Sequence, residues 1–108
     1  MNSMSMRIAT LPEYQRAARI MDQVAEFDPS LGGEFRAAAE RCLSDLALGN
    51  IDRAEAAALL QAARSRLASA AVGREFAARV RLDGLLDKLT GYICARLLNA
   101  VLAARTAA

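Results

Sequence analysis

The chain has 108 residues with 25 alanines, no histidine and a net charge of +2. A chain of this length forms one domain around one hydrophobic core. The missing histidine removes the most common general base and metal ligand. The sequence also contains no cysteine pair with metal-ligand spacing, no phosphate-binding glycine loop and no nucleophile motif. We therefore expect no enzyme activity, catalytic residue, cofactor, metal site or small-molecule substrate.

The predicted elements begin after a short flexible segment. Residues 1–9 show no periodic pattern, so we expect a flexible N-terminus followed by a single helical domain over residues 10–108. Thr10 and Glu13 have the spacing of a capping box, and Pro12 fits the first turn of a helix. The first helix is therefore predicted to begin at Thr10.

The first and second helices are predicted to be separated by a turn. Helix one is expected to end near Phe27, because residues 28–33 read DPSLGG, and proline and paired glycines interrupt helices. Apolar residues then recur at helical spacing from Glu34 to Leu48. This spacing predicts the second helix.

A helical hairpin is predicted to follow. Gly49 is expected to close helix two in the left-handed conformation, and Asp52 with Glu55 is expected to cap the third helix. That helix is predicted to run from Arg53 to about Ala71. Residues 72–73, Val-Gly, leave two alternatives open, a turn or a kinked continuation into the fourth helix. We favour the turn.

The fourth helix is predicted to begin near residue 74 and to carry the most apolar stretch, residues 82–104. At 100° per residue, apolar side chains cover about half of this helix. We expect an all-α, four-helix, mostly antiparallel bundle with a long C-terminal helix whose apolar arc exceeds what one chain covers. The residues predicted to contact a second copy or another protein are Leu85, Leu89, Tyr92, Ile93, Cys94, Leu98 and Leu102.

Two glycines interrupt the same predicted helix. Gly84 and Gly91 lie seven residues apart, and therefore on nearly the same side. Glycine inside a helix costs about 1 kcal/mol relative to alanine. Two interpretations remain open: tolerated glycines with a slight bend, or a groove in which another helix backbone approaches closely.

The apolar arc favours a non-enzymatic protein–protein interaction module, such as an adaptor, inhibitor or small chaperone, that forms a homodimer or binds another protein. The alternative is a small dimeric regulator that binds nucleic acid. Residues 53–82 contain six arginines and two glutamates, a charge of +4, and clustered arginines attract phosphates. The residues that would form this anion-binding face are Arg64, Arg66, Arg74, Arg81 and Lys88.

The cysteines and the length of the apolar runs indicate in which cellular compartment the protein is found. Cys42 and Cys94 lie within apolar helical faces, which predicts two buried thiols in a reducing environment and leaves a disulfide as the alternative. The N-terminus lacks the apolar segment of a signal peptide, and the longest apolar run, 92–104, is too short to span a membrane. We expect a cytoplasmic protein without membrane contact. The alanine- and arginine-rich composition indicates a GC-rich bacterial genome.

Overall fold

The computed structural model describes residues 3–71, 73 and 75–107, and the regular structure within them is entirely helical. The predicted all-α class is therefore confirmed. One short helix precedes four long helical elements. The elements are α1 (Ser3–Thr10), α2 (Pro12–Phe27), α3 (Pro29–Leu48), α4 (Arg53–Ala70), α5 (Phe76–Tyr92), a π-helical segment (Ile93–Leu97) and α6 (Leu98–Ala107).

The last three elements are joined without a break, and we refer to them together as the C-terminal helix. The antiparallel order of the four long elements stays a prediction. Among the described residues, no helix combines the length and the apolar character that a membrane span requires.

The N-terminal segment differs from the prediction. The part of it that the structure describes forms α1, and Ile8 is buried in the core. The predicted capping box of Thr10 and Glu13 is wrong. Leu11 occupies the N-cap of α2 without a side-chain hydrogen bond, while the Thr10 hydroxyl donates to the carbonyl of Arg7 at 2.8 Å. The hydroxyl is used to close α1, so it cannot begin α2.

The turn predicted over residues 28–33 is shorter in the structure. The Asp28 carboxylate accepts the backbone amides of Ser30 at 3.0 Å and Leu31 at 3.1 Å, so α3 begins at Pro29. Gly32 is helical, and a Cβ atom built there would lie 2.6 Å from the Cα atom of Ala25 in α2. The glycine that suggested a turn instead permits α2 and α3 to approach closely.

The α3–α4 hairpin agrees with the prediction. Gly49 closes α3 with φ of 80°, in the left-handed region that favours glycine. The Asp52 carboxylate accepts the amide of Glu55 at 2.8 Å, and the Glu55 carboxylate accepts the amide of Asp52 at 3.2 Å. A break between α4 and α5 is also confirmed, because α4 ends at Ala70 and α5 begins at Phe76. Val72 of the predicted Val-Gly turn lies outside the described residues.

The π segment is the feature of the C-terminal helix that was not predicted. It ends at Leu97, and both Leu97 and the next residue, Leu98, are fully buried. Arg53 at the start of α4 supports this segment. Its guanidinium donates to the carbonyl of Cys94 at 2.7 Å and to the side-chain oxygen of Asn99 at 2.9 Å. These bonds connect the beginning of α4 to the π segment.

Candidate protein-interaction surface

The core of the single chain already covers the apolar arc of the C-terminal helix. Seven of its apolar side chains are almost completely buried, and α2, α3 and α4 all contact this helix. These buried apolar residues are Leu82, Leu86, Leu89, Ile93, Leu97, Leu98 and Val101. Three residues of the predicted interface, Leu89, Ile93 and Leu98, therefore do not lie on the surface of the chain. The premise that the other helices leave this arc uncovered does not hold.

The other four predicted interface residues are half-buried and lie at different sides of the C-terminal helix. Leu85 lines a groove together with residues of α2. Tyr92 also faces α2, where the guanidinium of Arg16 lies over the Tyr92 ring, 5.5 Å from the ring centre. Leu102 instead lines a groove beside the α3–α4 turn. The backbone of the fourth residue, Cys94, contacts α4. The structure does not bring these side chains together on one surface.

The two cysteines are free thiols. Cys42 is buried, and its thiol donates to the carbonyl of Ala56 at 3.4 Å. Burial raises the pKa of the Cys42 thiol to about 11, with smaller contributions from Cys94 and Asp45. Burial also raises the pKa of Cys94, which Arg53 partly opposes. Both thiols are therefore protonated at neutral pH, a state in which they are weak nucleophiles.

Arg64, the first of the predicted anion-binding residues, forms ion pairs within the chain. Arg64 of α4 contacts Asp87 of α5 at 2.6 Å and Asp83 at 3.9 Å. Its side chain is only 22% exposed. Because these carboxylates neutralise the guanidinium, Arg64 connects α4 to α5 and is not available to a phosphate.

The remaining anion-binding candidates do not all lie on one surface. Arg66 lines a groove between α3 and α4, whereas Arg81 lines the groove between α2 and α5 beside Glu26. Lys88 is exposed on α5, and Arg74 lies outside the described residues. Arg81 and Lys88 are seven residues apart and therefore lie on nearly the same side of α5. Arg64 is paired with carboxylates and Arg66 lines the α3–α4 groove, so the four described residues do not all form one basic face.

Among the residues whose burial the structure describes, four large apolar side chains are exposed, and none of them belongs to the predicted interface. Phe76 and Val80, 76% and 54% exposed, lie one turn apart at the start of α5 and on the same side of it. Gly84 continues this side, and a Cβ atom built there or at Gly91 would meet nothing within 4 Å. Both glycines thus face open space in the single chain. We refer to the surface of Phe76, Val80 and Gly84 as the outer face of α5.

A second uncovered surface lies on α4. Residues 56–63 read AAALLQAA, without a charged side chain over two helical turns. Leu59 on this stretch is 51% exposed, and Ala58 and Ala62 beside it are exposed as well. A helix whose outer side faces only water normally carries charged residues there. This stretch and the four-residue spacing of Phe76 and Val80 are the sequence signals for the two surfaces.

Within the described part of the chain, no three His, Cys, Asp or Glu side chains are placed to hold a metal ion. A cavity of about 220 Å³ lies against α1, α2 and α3, where the Tyr14 hydroxyl donates to the Glu40 carboxylate at 3.1 Å. Burial, followed by the Glu40 charge, raises the pKa of Tyr14. The phenol is thus held as a neutral hydrogen-bond donor.

Comparisons with models of known protein families, with curated proteins and with solved structures found no match to this chain.

Proposed function

We propose that this chain is a non-enzymatic helical protein–protein interaction module, acting as an adaptor, inhibitor or small chaperone, that self-associates through the outer face of α5. The observation that carries the proposal is the exposure of Phe76 together with Val80. Of the five aromatic residues, the other four are buried or half-buried against the core. Only Phe76 of the five has no role in that core.

Exposed apolar area supports an interaction because covering it is favourable, by roughly 25 cal/mol for each Å² removed from water. Aromatic side chains are enriched where proteins meet, since they bury a large area with few rotatable bonds. Gly84 extends the same side of the helix with no side chain, which permits a partner helix to approach closely. The outer face therefore combines a large apolar group with room for a second helix.

Sedimentation equilibrium from low to high micromolar concentration tests this proposal. We expect the wild-type chain to associate and Phe76→Glu to remain monomeric. The substitution is compatible with folding, because Phe76 is the first residue of α5, where a carboxylate interacts favourably with the helix dipole.

Leu48→Glu is the matched control, since Leu48 is also exposed, at 56%, but lies at the end of α3. It is expected to associate like the wild type. If wild type, Phe76→Glu and Leu48→Glu all sediment as monomers over the whole range, the self-association is wrong. If both variants weaken association equally, the contact is nonspecific apolar adhesion.

A further inference from the structure

A groove of about 170 Å³ runs along the outside of the α3–α4 hairpin. Three alanines line it, Ala38 from α3 and Ala62 and Ala63 from α4, and Leu59 lies beside them half-exposed. Because alanine side chains are short, another helix can lie close to this surface. Pockets for small molecules measure roughly 300–1,000 Å³, so the groove is too small for a cofactor.

The charges along the groove are predominantly positive. Arg41 of α3 and Arg66 of α4 both line it and are both exposed. Within the part of the chain that the structure describes, neither belongs to an ion pair, in contrast to Arg64 and Arg36. The one acid in the groove, Asp45, accepts a hydrogen bond from the side chain of Asn50 at 3.3 Å. The groove thus presents two uncommitted guanidinium groups beside an apolar floor.

We propose that this groove binds an acidic amphipathic helix of another protein. One apolar side chain of that helix would pack against Leu59 and the alanine floor, while carboxylates beside it would pair with Arg41 and Arg66. Arginine suits this role because its planar fork can bind a carboxylate through two parallel hydrogen bonds. The inference rests on the proposed function as an interaction module, but it uses a surface separate from the outer face of α5.

The charge pattern also argues against a second copy of this chain as the occupant. The exposed apolar pair that α5 of a second copy would offer, Phe76 and Val80, is flanked by two arginines and two acids, Arg79, Arg81, Glu75 and Asp83. These charges balance, so this pair brings no net negative charge to the arginines of the groove. A second copy bound groove to groove through Leu59 would place Arg41 and Arg66 against their own counterparts, and like charges across an interface are unfavourable. An occupant whose flanks are predominantly acidic fits better.

Binding of two synthetic helical peptides, followed by fluorescence anisotropy at low ionic strength, tests the proposal. Both peptides carry leucine at i and i+4; the first has glutamate at all flanking positions, and the second has lysine at those positions. We expect the glutamate peptide to bind at least ~10-fold more tightly. Leu59→Glu is expected to abolish this binding, and Arg41→Glu/Arg66→Glu is expected to reverse the preference towards the lysine peptide.

Arg19→Glu/Arg96→Glu, at exposed positions of α2 and of the C-terminal helix, changes the net charge as much as the double variant does and is expected to retain the preference of the wild type. Circular dichroism establishes that each variant is folded. Equal affinity for the two peptides, no binding of the glutamate peptide at high micromolar concentration, or an unchanged preference in the double variant would each overturn the proposal. The test is independent of self-association, because Phe76→Glu is expected to bind the glutamate peptide as the wild type does.

The two proposals can therefore fail separately. If the chain associates but does not distinguish the two peptides, self-association through the outer face of α5 stands and peptide binding in the groove is wrong. If the chain remains monomeric but prefers the glutamate peptide, binding in the groove stands and self-association is wrong.

Discussion

The inner arc of the C-terminal helix and the stretch 56–63 of α4 are both free of charged side chains but have opposite surroundings. The arc contains Leu86, Leu89 and Leu97, all without exposed surface, under the cover of α2, α3 and α4. The stretch 56–63 on α4 leaves Leu59 half-exposed beside exposed alanines. The amount of apolar surface on a helix therefore does not identify an interface. An interface is indicated by the apolar surface that the other helices of the fold leave exposed.

The largest expected effect comes from removing one leucine from each region. Leu97→Ala is expected to lower the free energy of unfolding by about 3 kcal/mol, because the side chain is fully buried and its loss leaves a cavity. Leu59→Ala is expected to change it by no more than roughly 0.5 kcal/mol. Urea unfolding followed by circular dichroism measures both. Equal losses would remove the distinction between a covered and an uncovered region.

Gly32 and Gly33 also compare a covered position with an open one, and adding a single methyl group to each tests the difference. Gly32→Ala is expected to destabilise the chain by about 2 kcal/mol, because its Cβ atom would collide with the backbone of Ala25. Gly33→Ala, with open space around the added atom, is expected to stabilise it by roughly 0.5 kcal/mol. Thermal unfolding of the two variants checks the signs. A stabilising Gly32→Ala would mean that α2 and α3 are not in close contact.

The pH dependence of stability shows whether Cys42 is buried between α3 and α4. Its pKa is raised from 9.0 to about 11, so the folded chain keeps a proton that the unfolded chain releases between these values. Stability therefore decreases as the pH rises from 9 to 11, by roughly 1–2 kcal/mol from this group. Urea unfolding at each pH is expected to show this decrease in the wild type and a shallower one in Cys42→Ala. Identical slopes would mean that the thiol is accessible to water.

The hydrogen bonds that Arg53 of α4 donates to the C-terminal helix are expected to have the smallest effect on stability. Arg53→Met removes the hydrogen bonds to the Cys94 carbonyl and to Asn99, and is expected to cost about 1 kcal/mol because the site is exposed to water. Amide exchange within 93–99 is expected to accelerate. Arg19→Met, which removes an exposed arginine elsewhere, provides the comparison. If both variants exchange alike, Arg53 does not support the π segment.

Local chemistry made part of this fold predictable from sequence. Gly49 and the box of Asp52 and Glu55 depend only on residues next to them in the chain, so their roles could be assigned without a structure. Gly32 could not be assigned, since its helical role depends on the approach of α2. The π segment was missed because a fixed 100° per residue was assumed throughout the C-terminal helix.

The candidate surfaces were harder to predict than the helices. The sequence predicts an interface at the buried arc, because the coverage of a helix depends on the whole fold and cannot be read from that helix alone. The sequence also places Arg64 on a basic face, because its ion pair with Asp87 joins residues that are distant in the chain and is not visible without the fold. The sequence shows that the stretch 56–63 carries no charge, but only the fold shows that part of it is exposed on the outside of α4.

Hydrogen exchange at two protein concentrations, one below and one above the range of association, distinguishes a C-terminal arc covered within the chain from one covered by a partner. We expect amides of 89–98 to be equally protected at both concentrations, because the single chain buries this region. Amides of 76–84 are expected to gain protection only in the associated protein. Rapid exchange of 89–98 in the dilute sample, with protection appearing on association, would contradict the account, because the C-terminal arc would then be covered by a partner.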